Sequence, residues 1–304
     1  MRKVTPFAVA GVLALALAGC SNPTVGGDEQ SAAANNEEGD TFFDVESIEP
    51  VSDIVAMVPE GIASSGVLRN GASTDYAPAE FRLGDGQTPT GYDIEIVDAL
   101  ARVMGLEGET KHAEFATIIP QLGSKFDVGA SSFTITPERI EQVNMVSYVE
   151  AGSAYAVATG NPTDFDPTDP CGSILGVQTG TYQYSRAQEM SEECVAEGKD
   201  PIEVMPLDLQ TDVTLKVIGG QFDATFADSP VISFAVANSG GELEQIGEVV
   251  EAEPQGIAIA KDDEQLTAAV QAAMQHLMDE GYLEQILNNY GAGDSALSQA
   301  RVNP

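Results

Sequence analysis

The chain has no tryptophan and only two histidines, and 13 lysines and arginines stand against 48 aspartates and glutamates. The formal charge of -35 repels phosphate backbones and anionic lipids, which excludes nucleic acid as a partner. The acidic residues are spread in short pairs rather than in one block, the pattern of a solvated surface. His112 and His276 fall on an expected strand and an expected helix without metal-ligand spacing, and no Cys-x-x-Cys occurs, so a metal site has no support. A Gly-x-Ser-x-Gly elbow, a Gly-x-x-x-x-Gly-Lys loop and a His-Glu-x-x-His motif are all missing. Nothing therefore marks out a catalytic residue or a cofactor.

Long apolar runs are equally scarce, and the one that exists stands at the N-terminus. Arg2 and Lys3 precede an almost wholly apolar stretch from Phe7 to Ala18, which ends in Leu17-Ala18-Gly19-Cys20. A membrane span needs roughly 20 apolar residues, and Ser21-Asn22-Pro23 cuts this run short. Small residues before a cysteine are what a lipoprotein signal peptidase accepts. Residues 1–19 are thus expected to be a removable address, and Cys20 an acylated anchor on the extracytoplasmic face of the cell membrane. Residues 20–45 are small, polar and acidic and read as a flexible tether.

With Cys20 acylated, Cys171 and Cys194 remain. Outside the cytoplasm such a pair is expected to oxidise, closing a loop worth about 3 kcal/mol. Two buried free thiols are the other reading.

Beyond the tether the chain alternates short strands with helices, the pattern of an α/β protein. A helix is expected over Val51–Ala63, with the folded domain proper beginning about Gly66. Strands are expected at Val67–Ala72, Thr110–Phe115, Phe126–Ala130 and Ile174–Val177. Ile94, Val97, Leu100, Ala101 and Met104 recur at helical spacing and predict a helix over Tyr92–Met104, ending at Gly105. A short helix is expected over Thr117–Leu122. Thr136-Pro137-Glu138 offers a hydroxyl N-cap followed by proline, a good helix start. Ala292–Pro304 lacks apolar periodicity and is expected to trail as a disordered tail.

One scheme occurs twice. Ser124–Arg139 (SKFDVGASSFTITPER) and Gly219–Val231 (GGQFDATFADSPV) each carry a turn, Phe-Asp, a short β-rich run and a helix start. Two similar half-units suggest two similar lobes, with polar groups at strand C-termini, where open α/β sheets present their binding crevice.

GYDIEIVDALARVM at Gly91 is followed in order by FATIIPQL, KFDVGASSFTITPER, GVQTGT and QFDATFADSP. This series resembles the family 3 extracellular solute-binding proteins, the polar amino acid binding family of ABC importers, from about Val67 to Gly291. The resemblance implies a bilobal, periplasmic-binding-protein-like fold of the second type. Two strands should cross between the lobes, near Ser153–Val157 and Gln255–Ile259. Lobe one would be 46–153 plus 257–291, and lobe two 154–256. It further implies a monomer that hands an amino acid to permease subunits in the membrane. A ligand-sensing lipoprotein and a dehydratase-type enzyme on the same fold are the rival readings.

A zwitterionic ligand needs a cation for its carboxylate, an anion for its ammonium and apolar walls. Arg139 matches the family's carboxylate-gripping arginine, with Ser132 and Thr134 as flanking donors; a surface arginine paired with Glu138 or Glu141 is the alternative. Asp228 matches the ammonium partner, and could equally be a helix N-cap. Thr181 and Tyr182 open a helix whose backbone N–H groups suit an anion. The family usually has a second small hydroxyl residue where this chain has Tyr182. Tyr76 and Phe115 resemble the two walls. Family members for basic amino acids often carry an acidic residue three places before this tyrosine, where this chain has Ser73; Asp75 is not equivalent.

Overall fold

The computed structural model describes residues 44–304. The expected leader, Cys20 and most of the expected tether lie outside the described residues. Strands β1 (Val67–Ala72), β4 (Glu107–His112) and β5 (Val128–Gly129) form one half of an eight-stranded sheet, and β7 (Ile174–Gln178), β8 (Glu203–Leu207) and β9 (Ala224–Asp228) the other. Between them run two long strands, β6 (Val143–Ala158) and β10 (Leu243–Ala260), in the order β4-β1-β5-β10-β6-β9-β7-β8. The outer strands of each half pair in parallel, while β6 and β10 are antiparallel to each other and to their neighbours β9 and β5. Each half is thus an α/β lobe, and β6 and β10 run through both; Ser153–Val157 and Gln255–Ile259, where the crossing was expected, are their C-terminal ends, already paired with β9 of one half and β5 of the other. A separate hairpin joins β2 (Phe81–Arg82) to β3 (Pro89–Thr90).

The short helices α1 (Ser52–Val55) and α2 (Glu60–Ser65) precede β1. One continuous helix was expected here, but Pro59 lacks the N–H that would carry it on and instead occupies the N-cap position of α2. The folded part also begins earlier than Gly66, since Ile48, Ile54 and Val58 are buried in the first lobe's core. Helix α3 (Tyr92–Val103) buries Ile96, Val97 and Leu100 against that core, and Gly105 ends its turn at φ 70°. The strand expected over Thr110–Phe115 lies at β4 instead. Phe115 opens α4 (Phe115–Ile118), and a 3-10 turn over Ile119–Gln121 completes the expected short helix.

Helix α5 (Pro137–Gln142) follows β5, and Thr136 caps it as expected, accepting from the N–H of Arg139 at 3.3 Å. The second lobe contributes α6 (Tyr182–Ala196), α7 (Gln210–Ile218) and α8 (Ser229–Asn238). A disulfide joins Cys171 to Cys194, the latter on α6, so the loop it closes lies wholly in that lobe. Helices α9 (Glu264–Asp279) and α10 (Tyr282–Asn289) return to the first lobe. Among the described residues, no helix is long and apolar enough to cross a membrane.

The duplicated Phe-Asp scheme occupies matching places in the two lobes. Phe126 packs on Gly71 of β1, where a Cβ would come within 2.5 Å of the ring, and Phe222 packs on Gly176 of β7, where it would come within 2.6 Å. The carboxylate of Asp127 accepts from the N–H of Arg69 at 2.9 Å, and that of Asp223 from the N–H of Ile174 at 2.7 Å. Each aspartate so ties its strand to the start of the neighbouring one.

The C-terminal residues do not trail. Bridges join Ala296 to Val149 and Val302 to Val146, and Ser147 donates to the carbonyl of Arg301 at 2.9 Å. The cause is the edge of β6, whose first half has β10 on one side and unpaired backbone on the other. The tail satisfies that edge without needing a hydrophobic repeat of its own.

Candidate functional site

The narrow cavity between the lobes, about 10 Å³, is lined by Tyr76, Phe115, Ser132, Thr134 and Arg139 from the first lobe and by Thr181, Tyr182, Gln183 and Asp228 from the second. All eight residues singled out in the sequence thus meet at one place, at the C-terminal ends of strands or the helix starts that follow them. Gln183 is the addition.

Arg139 reaches the cavity from the first turn of α5. Its Nη1 donates to the carbonyl of Thr134 at 2.6 Å and its Nη2 to the carbonyl of Gly180, in the other lobe, at 3.1 Å. The guanidinium carbon lies 5.5 Å from the Phe115 ring centre and 5.4 Å from that of Phe133, and the two rings stack on each other at 4.5 Å. Burial lowers its pKa to about 10, against an opposing pull from Asp228. The group stays charged at neutral pH, and a guanidinium has five N–H donors, so donors remain for an anion. The reading as a surface arginine paired with Glu138 or Glu141 is set aside by these contacts.

Asp228 occupies the N-cap position of α8 but makes no side-chain cap bond. Its oxygens turn into the cleft instead, accepting from Gln183 Nε2 at 2.7 Å and Gln255 Nε2 at 2.8 Å. Its backbone N–H donates to the hydroxyl of Tyr76 at 3.1 Å. Burial raises its pKa to about 6, the two amides and Tyr76 opposing that rise. Sequence reasoning missed both glutamines. Gln183 stands two residues past the N-cap Thr181, a position whose side chain stays beside the helix end, and this could have flagged it. Gln255 sits inside a crossing strand and carried no local signal.

Thr181 caps α6, accepting from the N–H of Tyr184 at 3.1 Å. Tyr182 lines the cavity, and its hydroxyl donates to Glu251 of β10 at 2.9 Å. The bulk that departs from the familiar pattern therefore bridges the second lobe's α6 to β10 beside the cavity. Gly180, at φ 80°, allows the lobes to meet: a Cβ there would stand 3.0 Å from the Cβ of Ala116. Ser73 is buried beside Tyr76, donating to Asp75 at 2.8 Å and accepting from Gln178 Nε2 of the second lobe at 3.1 Å.

A cation and a carboxylate facing one small cavity, with aromatic rings on its walls and two lobes closed over it, define a bilobal protein that traps a small ligand. Over residues 68–293 the chain matches the model of the bacterial extracellular solute-binding proteins, family 3, and it belongs to that family. It is 36% identical over 276 residues to the arginine-binding protein ArgT of Corynebacterium glutamicum, covering 90% of each chain. The arginine-binding extracellular protein ArtP of Bacillus subtilis is 29% identical, over 74% of this chain and 86% of its own. A solved structure of an ancestral arginine-binding protein bound to arginine matches with a TM-score of 0.68 at 28% identity, covering 74% of this chain and 98% of that one. These relatives are binding proteins, and the chain is a binding protein rather than an enzyme.

Proposed function

We propose that this protein captures an α-amino acid with a cationic side chain, L-arginine foremost, and delivers it to the permease subunits of an ABC importer. The observation that carries the reading is the convergence of Arg139 and Asp228, from opposite lobes, on one cavity. The guanidinium of Arg139 takes the α-carboxylate, assisted by Ser132, Thr134 and the start of α6 at Thr181. Asp228, held by Gln183 and Gln255, takes the α-ammonium. Tyr76 and Phe115 flank the side chain, and Tyr182 lines the same cavity. A planar guanidinium suits stacking on aromatic faces, and the arginine-binding relatives support that choice of ligand.

In this reading the protein works as a monomer held to the extracytoplasmic face of the cell membrane by lipid on Cys20, with residues 20–45 as a tether. The proposed lobe boundaries, 46–153 with 257–291 and 154–256, are supported by β6 and β10 being the strands shared between the two halves. Hinge motion within them would open and close the cavity.

Calorimetry with L-arginine, L-lysine, L-ornithine, L-histidine, L-glutamine and L-cystine tests the ligand. L-Arginine should bind most tightly, and Arg139→Ala and Asp228→Ala should abolish binding. If both variants bind as wild type does, the site assignment is wrong. Metabolic labelling with palmitate tests the anchor: Cys20→Ala should lose the label and leave the membrane fraction.

A further inference from the structure

On the first-lobe side of the cavity two carboxyl groups are buried together. Glu80 and Asp93 are both 0% exposed, and each carboxyl lies within the other's field. The backbone forces the meeting. The N–H groups of Tyr92 and Asp93 donate to the carbonyls of Pro78 and Ala79, at 3.2 and 2.9 Å. Gly91 permits the approach, since at φ 116° a Cβ would lie 2.3 Å from the Ala79 oxygen.

The donors around the pair are unevenly shared. Asp93 accepts from the N–H of Ser132 at 2.6 Å, from the Ser132 hydroxyl at 3.1 Å and from the Tyr148 hydroxyl. Glu80 accepts from the Ser131 hydroxyl through Oε1, while its buried Oε2 faces no donor. Asp75 and Asp228 add further negative charge, and Tyr76, Tyr92 and Tyr148 are phenols held neutral by burial. Arg139 acts on Asp228, and among the described residues neither Glu80 nor Asp93 has an ion-pair partner. Two ionised carboxylates cannot share such a site, so one must keep a proton. Placed on Glu80 Oε2, that proton turns an orphan acceptor into a donor to Asp93.

We propose that Glu80 and Asp93 hold one proton between them, and that this pair positions Ser131 and Ser132 beside the ligand. Ser132 lines the cavity with φ at 51°, a left-handed conformation that persists in a serine only when its surroundings hold it there. Asp93 supplies two of the bonds that hold it. Ser131 accepts from the N–H of Ser73 at 3.0 Å and passes its own proton toward Glu80. The positioning role rests on the amino-acid reading above, whereas the shared proton does not.

Infrared spectroscopy of the ligand-free protein at neutral pH reads the proton directly. Wild type should show a carboxylic-acid carbonyl band that Glu80→Gln lacks; a wild type without that band overturns the shared proton. Burial and the neighbouring charge push Glu80 well above the carboxylate range, so the pair stabilises the fold at low pH and that contribution is lost as pH rises through its titration. Ligand-free melting of wild type should fall across that window, and Glu80→Gln should fall less steeply, keeping only the share of Asp228. L-Arginine calorimetry then reads the positioning. Glu80→Gln keeps a donor for Asp93 and an acceptor for Ser131, and should bind within about threefold of wild type, whereas Glu80→Ala should bind at least about tenfold more weakly. Should Glu80→Ala not fold, Glu80→Gln decides alone: a folded variant weakened beyond about tenfold overturns the role. A wild type that binds no amino acid sinks the ligand reading and leaves the infrared result standing.

Discussion

Asp75 of the first lobe accepts a hydrogen bond from the backbone N–H of Gln210, the first residue of α7 in the second lobe, at 2.7 Å. Leu209, at the N-cap of α7, has no side chain that could do this, and the helix makes no cap bond of its own. The N–H of Thr211 also reaches Asp75, and Ser73 donates to its other oxygen. One lobe thus caps a helix of the other, with the carboxylate at the positive end of the helix dipole. This contact requires the lobes to be closed.

Asp75→Ala should therefore weaken ligand binding through the closed state. A lost N-cap is worth about 0.5–2 kcal/mol, or roughly a two- to thirtyfold rise in Kd. Stopped-flow measurement should find the change mainly in the dissociation rate. Unaltered dissociation in the variant would show that the contact does not hold the lobes together.

The ammonium partner sets the acid limit of binding. Asp228 has a pKa raised to about 6 by burial, and only its ionised form attracts an ammonium. Affinity for L-arginine should fall as pH drops through about 6, since binding must then first remove a proton. Ligand-free stability should run the other way. The folded pKa lies above the unfolded value of 3.8, so the stability this carboxyl contributes is full below 3.8 and lost as pH rises through about 6. Asp228→Asn should remove the acid limit of binding and the Asp228 share of the stability change, leaving that of Glu80, and should weaken binding by about 2–5 kcal/mol, the penalty of leaving a buried charge without its partner. Calorimetry and thermal melts across pH 4.5–8 check both signs.

Much of this site was legible because its residues stand at local boundaries with a chemical signature. Thr136-Pro137 announces a helix start, and that places Arg139 one turn in, beside Thr134. The repeated Phe-Asp pairs mark equivalent strand ends, because each phenylalanine needs a glycine opposite and each aspartate needs a backbone N–H to hold. What stayed hidden depends on pairing between distant segments. Gln255 looks like any polar residue in a strand until β6 and β10 bring it to Asp228. Glu80 and Asp93 are 13 residues apart with a hairpin between them, and nothing local says that both will be buried. Asp75 was set apart from the ligand on sequence grounds, and its partner lies 135 residues away in the other lobe.

The disulfide should matter for stability more than for binding. Its two cysteines are separated by 23 residues inside the second lobe and do not line the cavity. In the chain-entropy model a loop of this size contributes about 3 kcal/mol. Cys171→Ser with Cys194→Ser should lower Tm by several degrees and leave the Kd for L-arginine within about threefold. A large change in Kd without a change in Tm would mean that the second lobe moves as more than one body.

The last residues make the same kind of claim about the first lobe. Met145 donates to the side chain of Asn303 at 2.8 Å, Ser147 to the carbonyl of Arg301, and Leu297 to the carbonyl of Tyr148 at 3.0 Å. Met145, Ser147 and Tyr148 are buried, so removing residues 296–304 leaves their backbone groups without partners beside newly opened apolar surface. Unsatisfied groups of this kind cost about 1–3 kcal/mol each where water cannot replace the partner, and partial rehydration of an exposed edge reduces the sum. The truncated protein should lose on the order of 2–4 kcal/mol in urea unfolding. Its β6 edge, once bare, should also promote association between molecules, visible as a concentration-dependent shift in sedimentation. A truncated chain that unfolds at the same urea concentration as the full one, and stays monomeric, would mean that the tail rests on the edge without supporting it.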